Sequence, residues 1–227
     1  PWKVEGRGSR VSETGLSPAD AERSMNTHLG ISAELSVKEL NEAALADSAY
    51  YYMEGYLVTS DSGRAAAIRG RQVAEQNGVK TALSFSDPGM VEFFRDGLGD
   101  MLGDGVDLLF CNEAEALQWA GSESLDDAVS AIKQVAKQFA ITLGAKGALV
   151  FDGEQLHSIA PCKVNAVDTN GAGDMFAGAF LYAISHGHSA EAAGKLASRA
   201  AAEVVSDYGP RLPGPKHVEL RQEVLGQ

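Results

Sequence analysis

The residues best suited to chemistry crowd into one short stretch, Asp168-Thr169-Asn170-Gly171-Ala172-Gly173-Asp174, followed by the apolar segment Met175-Phe176-Ala177-Gly178-Ala179-Phe180. Small residues at 171 to 173 let the backbone turn sharply and approach a ligand closely. A helix starting there aims its free N–H groups at the turn, which makes an anion hole without any basic side chain. The helix dipole favours Asp174 as a carboxylate in the first turn. A carboxylate beside an anion-binding turn suits a general base that takes a proton from a hydroxyl attacking phosphorus. A Gly-rich loop with an acidic helix cap is the plainer reading of Gly-x-Gly-Asp alone. All seven residues between a strand and an apolar helix favour the anion-binding turn.

Two other nucleotide motifs fail. The dinucleotide fingerprint needs a third glycine where Phe176 stands, and G-x-x-x-x-G-K-[ST] is absent. Cys111 and Cys162 have no CxxC spacing and no nearby ligand to complete a zinc set. The chain is thus expected to be reduced and cytoplasmic. A net charge of −12 argues against nucleic acid as a partner. The longest apolar run, Met175 to Ile184, is about half of what a membrane span needs. The start, Pro1-Trp2-Lys3-Val4-Glu5, shows neither a signal peptide nor an initiator Met, so the 227 residues are read as a fragment.

These residues need elements to position them. The first thirty residues show no sustained period and read as irregular or edge structure. Ser36 and Glu39 form a capping box ahead of a helix to Ala46. A short aromatic run, Ala49 to Met53, comes next, then a helix from Asp61 to about Asn77 and a strand from Val79 to Phe85. The alternation continues with a helix near Val91 to Met101 and a strand from Val106 to Phe110. Helices near Glu113 to Ala120 and Leu125 to Gln138 precede a strand from Phe139 to Leu143. Ala148 to Phe151 and Leu156 to Ile159 read as a hairpin across Asp152-Gly153. Helices from Gly173 to His186 and Ser189 to Val205 close the pattern. Strands alternating with helices make an α/β fold with a mostly parallel sheet covered on both faces.

Three segments at strand ends carry a family resemblance. Asp168 to Asp174 resembles the C-terminal signature of the ribokinase-like (PfkB) sugar and nucleoside kinases. Asn112-Glu113-Ala114-Glu115 is similar to that family's N-x-x-E motif, and Thr142-Leu143-Gly144-Ala145-Lys146-Gly147 to its T-L-G-x-x-G nucleotide loop. The resemblance runs from about Met25 to Gln227. It implies a three-layer α/β/α fold with residues 31–227 as the nucleotide-binding kinase core. Residues 1–30 would be a remnant of the N-terminal and lid region, with the small β lid missing or incomplete.

Roles follow residue by residue from the resemblance. Asp174 would be the catalytic base, and the N–H groups of Gly171, Ala172 and Gly173 the anion hole. Asn112 and Glu115 would organise Mg²⁺ and its waters near the ATP phosphates, with Asn112, Thr142, Gly144, Gly147 and Ser198 around the nucleotide. Asp168 and Asn170, with Val204, Asp207 and Gly209, would match the K⁺ site of potassium-activated members. Glu54 falls where some relatives contact the substrate sugar.

Segments 21–30, 54–57 and 84–88 resemble the adenosine-kinase-like branch, which favours a ribose-bearing acceptor, adenosine slightly ahead of ribose- or fructose-type sugars. A homodimer through the lid sheet is the assembly the family allows. The alternative function is a non-catalytic nucleotide-binding fragment or regulatory protein, and an oxidoreductase ranks third. Plainer readings also stand: Asn112 as a helix cap, Lys146 as a solvated turn residue, and Tyr50-Tyr51-Tyr52 and Trp119 as core.

Overall fold

A computed structural model describes residues 11–16, 23–28 and 30–226. Strands β1 (Val11–Leu16) and β2 (Arg23–His28) pair in a two-stranded sheet. Of residues 1–30, which read from the sequence as irregular or edge structure, these two strands and Gly30 are described; the other positions lie outside the described residues. The main sheet has six strands in sequence order: β3 (Tyr50–Glu54), β4 (Lys80–Ser84), β5 (Val106–Asn112), β6 (Ala136–Thr142), β7 (Ala148–Phe151) and β8 (Leu156–Ile159). It is mostly parallel, with β7 antiparallel to both β6 and β8. The chain divides into two compact units, one holding Ser24–Leu109 and Ala114–Lys137, the other Phe110–Glu113 and Gln138–Gln227.

In the first unit, α1 (Glu42–Ala46) and α2 (Asp61–Gln76) precede β4, while α3 (Pro88–Phe93) and α4 (Arg95–Leu102) precede β5. Helices α5 (Glu113–Ala120) and α6 (Leu125–Ile132) lead to β6. Ser60 starts α2 by accepting the N–H of Gly63, and Gly78 ends it at φ +70°. A side chain at Gly70 would overlap the ring of Tyr51, so this glycine lets the aromatic run of β3 lie against α2. Leu45, Val73, Ala74 and Val79 form a buried cluster with Leu40 and Tyr51 packed on it. Trp119 is core, its ring centroid 5.0 Å from that of Phe85, with the Arg95 guanidinium over the indole at 4.4 Å from the ring centroid. Burial of Tyr51 pushes its phenol pKa up.

In the second unit, α7 (Ala172–Ser185), α8 (Ala190–Val205) and α9 (Gly214–Leu225) follow the hairpin β7–β8. Phe139 stacks on Phe151 at 5.2 Å, and Phe110 meets Phe180 edge-on at 5.5 Å. A Cβ at Gly194 would lie 2.9 Å from side-chain carbons of both Val150 and Ile159, so a glycine lets α8 approach β7 and β8 closely there. Glu203 pairs with Arg199 and Lys216, and Arg199 also reaches Glu223, joining α8 to α9.

Four expectations about elements are corrected. The capping box of Ser36 and Glu39 is present, but it opens a 3₁₀ turn over Val37–Glu39 and not a helix running to Ala46. Leu40 is extended, and Asn41 caps α1 afresh by accepting the N–H of Ala44. The helix near Val91 to Met101 is two helices parted at Phe94. Helix α6 stops at Ile132, because Val135 turns its carbonyl to the N–H of Val106 and strand geometry begins at Ala136. Helix α9 went unforeseen; Leu220 is its one buried residue, too few to give a period.

Asp107 on β5 stitches the first unit's strands together. Its Oδ2 accepts the N–H of buried Thr81 at 2.8 Å, and its Oδ1 takes Lys137 Nζ at 2.8 Å. Burial raises its pKa, but the Lys137 and Thr81 bonds outweigh it and hold the carboxyl below its ordinary value. Its stabilisation is therefore complete above the unfolded-state value and lost as pH falls through the lower folded one. Asp107→Ala should cost about 1–3 kcal/mol at neutral pH by orphaning the Thr81 N–H. In urea unfolding, the gap between variant and parent should narrow as pH drops below about 4.

Candidate active site

Helix α7 begins from a turn held by a buried carboxylate. Asp168 is 5% exposed; its Oδ1 accepts the N–H of Asn170 and its Oδ2 that of Gly209, both at 2.9 Å. Val167 and Asp168 both donate their N–H groups to the carbonyl of Val205 at the end of α8, at 2.7 and 3.3 Å. Among the described residues no cationic side chain pairs with Asp168; backbone donors hold its charge. Of the residues named for a K⁺ site, Asp168 bonds Asn170 and Gly209, and separately the Val204 carbonyl accepts the N–H of Asp207 at 3.5 Å.

Gly171 caps α7 at φ +79° and is buried against Pro210, whose Cα lies 2.7 Å from where a Cβ would be. Glycine is required there for conformation and for space. Met175 donates its N–H to the Gly171 carbonyl at 2.9 Å, which closes the first turn. Of the three N–H groups named for the anion hole, that of Ala172 bends toward the Thr169 carbonyl at 3.3 Å. A Cβ at exposed Gly173 would meet no atom within 4 Å.

The first turn of α7 borders two cavities of the second unit. One, of about 640 Å³, is lined by Thr142, Gly144, Gly147, Ala172, Gly173 and Ser198, six residues singled out from the sequence. That volume suits a small-molecule ligand. Gly147, at φ +97°, lies so close to the Ile159 carbonyl that a side chain would collide with it. The cavity also includes Cys162, Lys163 and Val164, an irregular segment whose pattern carries no motif, and Phe176 of α7. The other cavity, about 870 Å³, takes Asp174 on its wall with Met175, Tyr182, Pro210 and Arg211. Asp174 and Gly173, adjacent in the chain, therefore line different cavities.

Asn112 ends β5, and Glu115 lies in the first turn of α5, 3% exposed; neither lines these two cavities. Between them in sequence, Glu113 accepts Lys146 Nζ with both carboxylate oxygens, at 2.8 and 2.7 Å, so this lysine ties two strand ends together. In the first unit, Glu54 stands half-buried at the end of β3, with the hydroxyl of Ser86 at 2.9 Å.

Residues 14–217 match the family described as pfkB family carbohydrate kinase. Adenosine kinase of Schizophyllum commune is 29% identical over 234 residues, which cover 92% of this chain and 67% of that protein. Ribokinase of Haemophilus influenzae is 32% identical, covering 88% of this chain and 61% of its own length. The crystal structure of adenosine kinase from Sinorhizobium meliloti has a TM-score of 0.91 at 32% identity, over 96% of this chain and 67% of that one. The chain has the three-layer α/β fold of its solved relatives and spans about two thirds of the length of these proteins. Among the described residues no helix is long and apolar enough to cross a membrane.

The Gly171 geometry carries a direct expectation. Gly171→Ala should lower unfolding stability by about 1–3 kcal/mol through positive-φ strain, with the Pro210 collision adding to it. Guanidinium denaturation of the two proteins side by side measures it; equal midpoints would contradict this geometry.

Proposed function

The chain belongs to the pfkB family of carbohydrate kinases, and from that premise we propose that it transfers the γ-phosphoryl group of ATP to a primary hydroxyl of a ribose-bearing acceptor. Adenosine ranks slightly ahead of ribose and fructose as that acceptor. The observation that carries this reading is the 640 Å³ cavity, where the Thr142 to Gly147 loop, Ser198 and the start of α7 meet. A glycine-rich loop and a helix N-terminus supply backbone donors suited to phosphate oxygens.

The acceptor oxygen attacks the γ-phosphorus, its proton passes to the Asp174 carboxylate, and the bond to the β–γ bridging oxygen breaks to release ADP. The N–H groups at 171 to 173, next to the positive end of a 14-residue helix, stabilise charge on the phosphoryl oxygens. The amide oxygen of Asn112 and the carboxylate of Glu115 are hard oxygen donors of the type Mg²⁺ takes, and would hold it through its waters. When bound, Mg²⁺ neutralises phosphate charge. Asp168, an anion that only N–H donors satisfy among the described residues, is compatible with a monovalent cation shared with Asn170, Val204, Asp207 and Gly209. Glu54 is the contact assigned to the acceptor sugar.

Acceptor-dependent ADP release with MgATP and K⁺, screened over adenosine, other nucleosides, ribose and fructose, tests the reading. Asp174→Asn should keep ATP binding while ADP release falls by about 10²–10⁴-fold. Undiminished release by Asp174→Asn would remove the base from the mechanism. ATP binding with no acceptor-dependent release would favour a nucleotide-binding regulatory protein instead.

A further inference from the structure

Ser86 has the one non-glycine backbone at positive φ among the described residues, +70°. Such a conformation is strained and persists only where its surroundings enforce it. Asp87 donates its N–H to the Phe85 carbonyl at 2.8 Å, across Ser86. A bond from i+2 back to i over a positive-φ centre is the rare and strained form of the γ-turn. The turn lies just past β4, at the carboxyl end of a parallel strand pair, where open α/β sheets bind ligands.

The conformation delivers a hydroxyl. Ser86 Oγ accepts the N–H of Gly55 at 2.8 Å and donates to Glu54 Oε2 at 2.9 Å, with the Ser84 carbonyl a longer alternative at 3.3 Å. It thereby bridges the ends of β3 and β4, where Glu54 and Ser84 are partners in register. Gly55 is pressed so near β4 that a Cβ would sit 2.5 Å from the Phe85 carbonyl oxygen. Glu54, Ser84 and Ser86 are only half-buried, and the β3–β4 ladder is already formed without this bridge. Strain spent on one hydroxyl at an open strand end is poorly explained by packing. One oxygen of Glu54 is anchored, and Oε1 has no donor among the described residues. A carboxylate fixed on one side and free on the other accepts strong hydrogen bonds from hydroxyl groups.

We infer that Ser86 is a positioning residue, held in its strained turn so that its hydroxyl aims the Glu54 carboxylate at the vicinal hydroxyls of the acceptor's ribose. The inference rests on the reading in which Glu54 contacts the acceptor.

Calorimetric titration of the chain with adenosine and with 2′,3′-dideoxyadenosine tests it in the parent, Glu54→Gln, Ser86→Ala, Ser86→Gly and the Glu54→Gln/Ser86→Ala double variant. The parent should prefer adenosine by at least about tenfold, and each single variant should erase most of that preference. Adding Ser86→Ala to Glu54→Gln should weaken adenosine no further, because the hydroxyl acts through the carboxylate. Ser86→Gly should lose the preference while resisting urea better than Ser86→Ala, which separates positioning from stability. Three results would each overturn the inference: an intact preference in Ser86→Ala, multiplying effects in the double variant, or no binding of adenosine by the parent. Equal binding of the two ligands by a parent that still releases ADP with an acceptor would remove the diol contact and leave the kinase reading standing. The diol preference without any ADP release would remove the kinase reading alone.

Discussion

A buried carboxylate that, among the described residues, bonds only to backbone N–H groups ties together the start of α7. Asp168 draws in the N–H of Asn170 on one side and of Gly209 on the other, each at 2.9 Å. The turn into α7 and the loop leaving α8 are thereby fastened to one anion. Taking a carboxylate out of water is expensive, and charge-assisted bonds to oriented N–H groups are what offset it. Beside that tie, Pro210 lies against Gly171, Gly171 takes a positive φ, and the helix starts with Ala172 and Gly173 on the wall of a cavity.

A second kind of constraint governs the first unit, where charges work across strands. Asp107 serves Thr81 and Lys137 at once, and its lowered pKa shows that these partners outweigh its own burial. In the second unit a group of ion pairs sits on α8 and α9, where Glu203 takes Arg199 and Lys216. Those groups are less exposed than the Asp107–Lys137 pair, and they hold a helix whose one buried residue is Leu220. A helix fastened by charge leaves almost no hydrophobic period, which is why α9 cannot be read from sequence while its neighbours can.

Legibility followed how local the governing interaction was. The β7–β8 hairpin was plain because Asp152-Gly153 supplies its turn and apolar residues flank it; its observed bounds are the expected ones. Helix α5 was read with its observed limits, and α2 to within a residue, since caps and glycine punctuate them locally. The break at Asn41 was missed because an intact capping box just upstream pointed to one continuous helix. In the site, the glycine-bearing segments were legible and meet at one cavity, whereas Cys162 to Val164 line it with no pattern of their own. Ser86 was opaque for a related reason: serine advertises nothing about φ, and its strain exists only once β3 and β4 lie side by side.

Gly171 and Gly173 stand two residues apart and answer to different pressures. Protein atoms crowd the place a side chain would take at Gly171, whereas at Gly173 they leave it vacant. A methyl group at 171 is opposed by the fold in every molecule, whether or not anything is bound. At 173 the folded chain is indifferent, and only a ligand drawn up to the helix could object. Natural variation should therefore be restrained at 171 by the need to fold and at 173 by the need to bind, so drift at 173 alone would mark a descendant that kept the architecture and gave up the ligand.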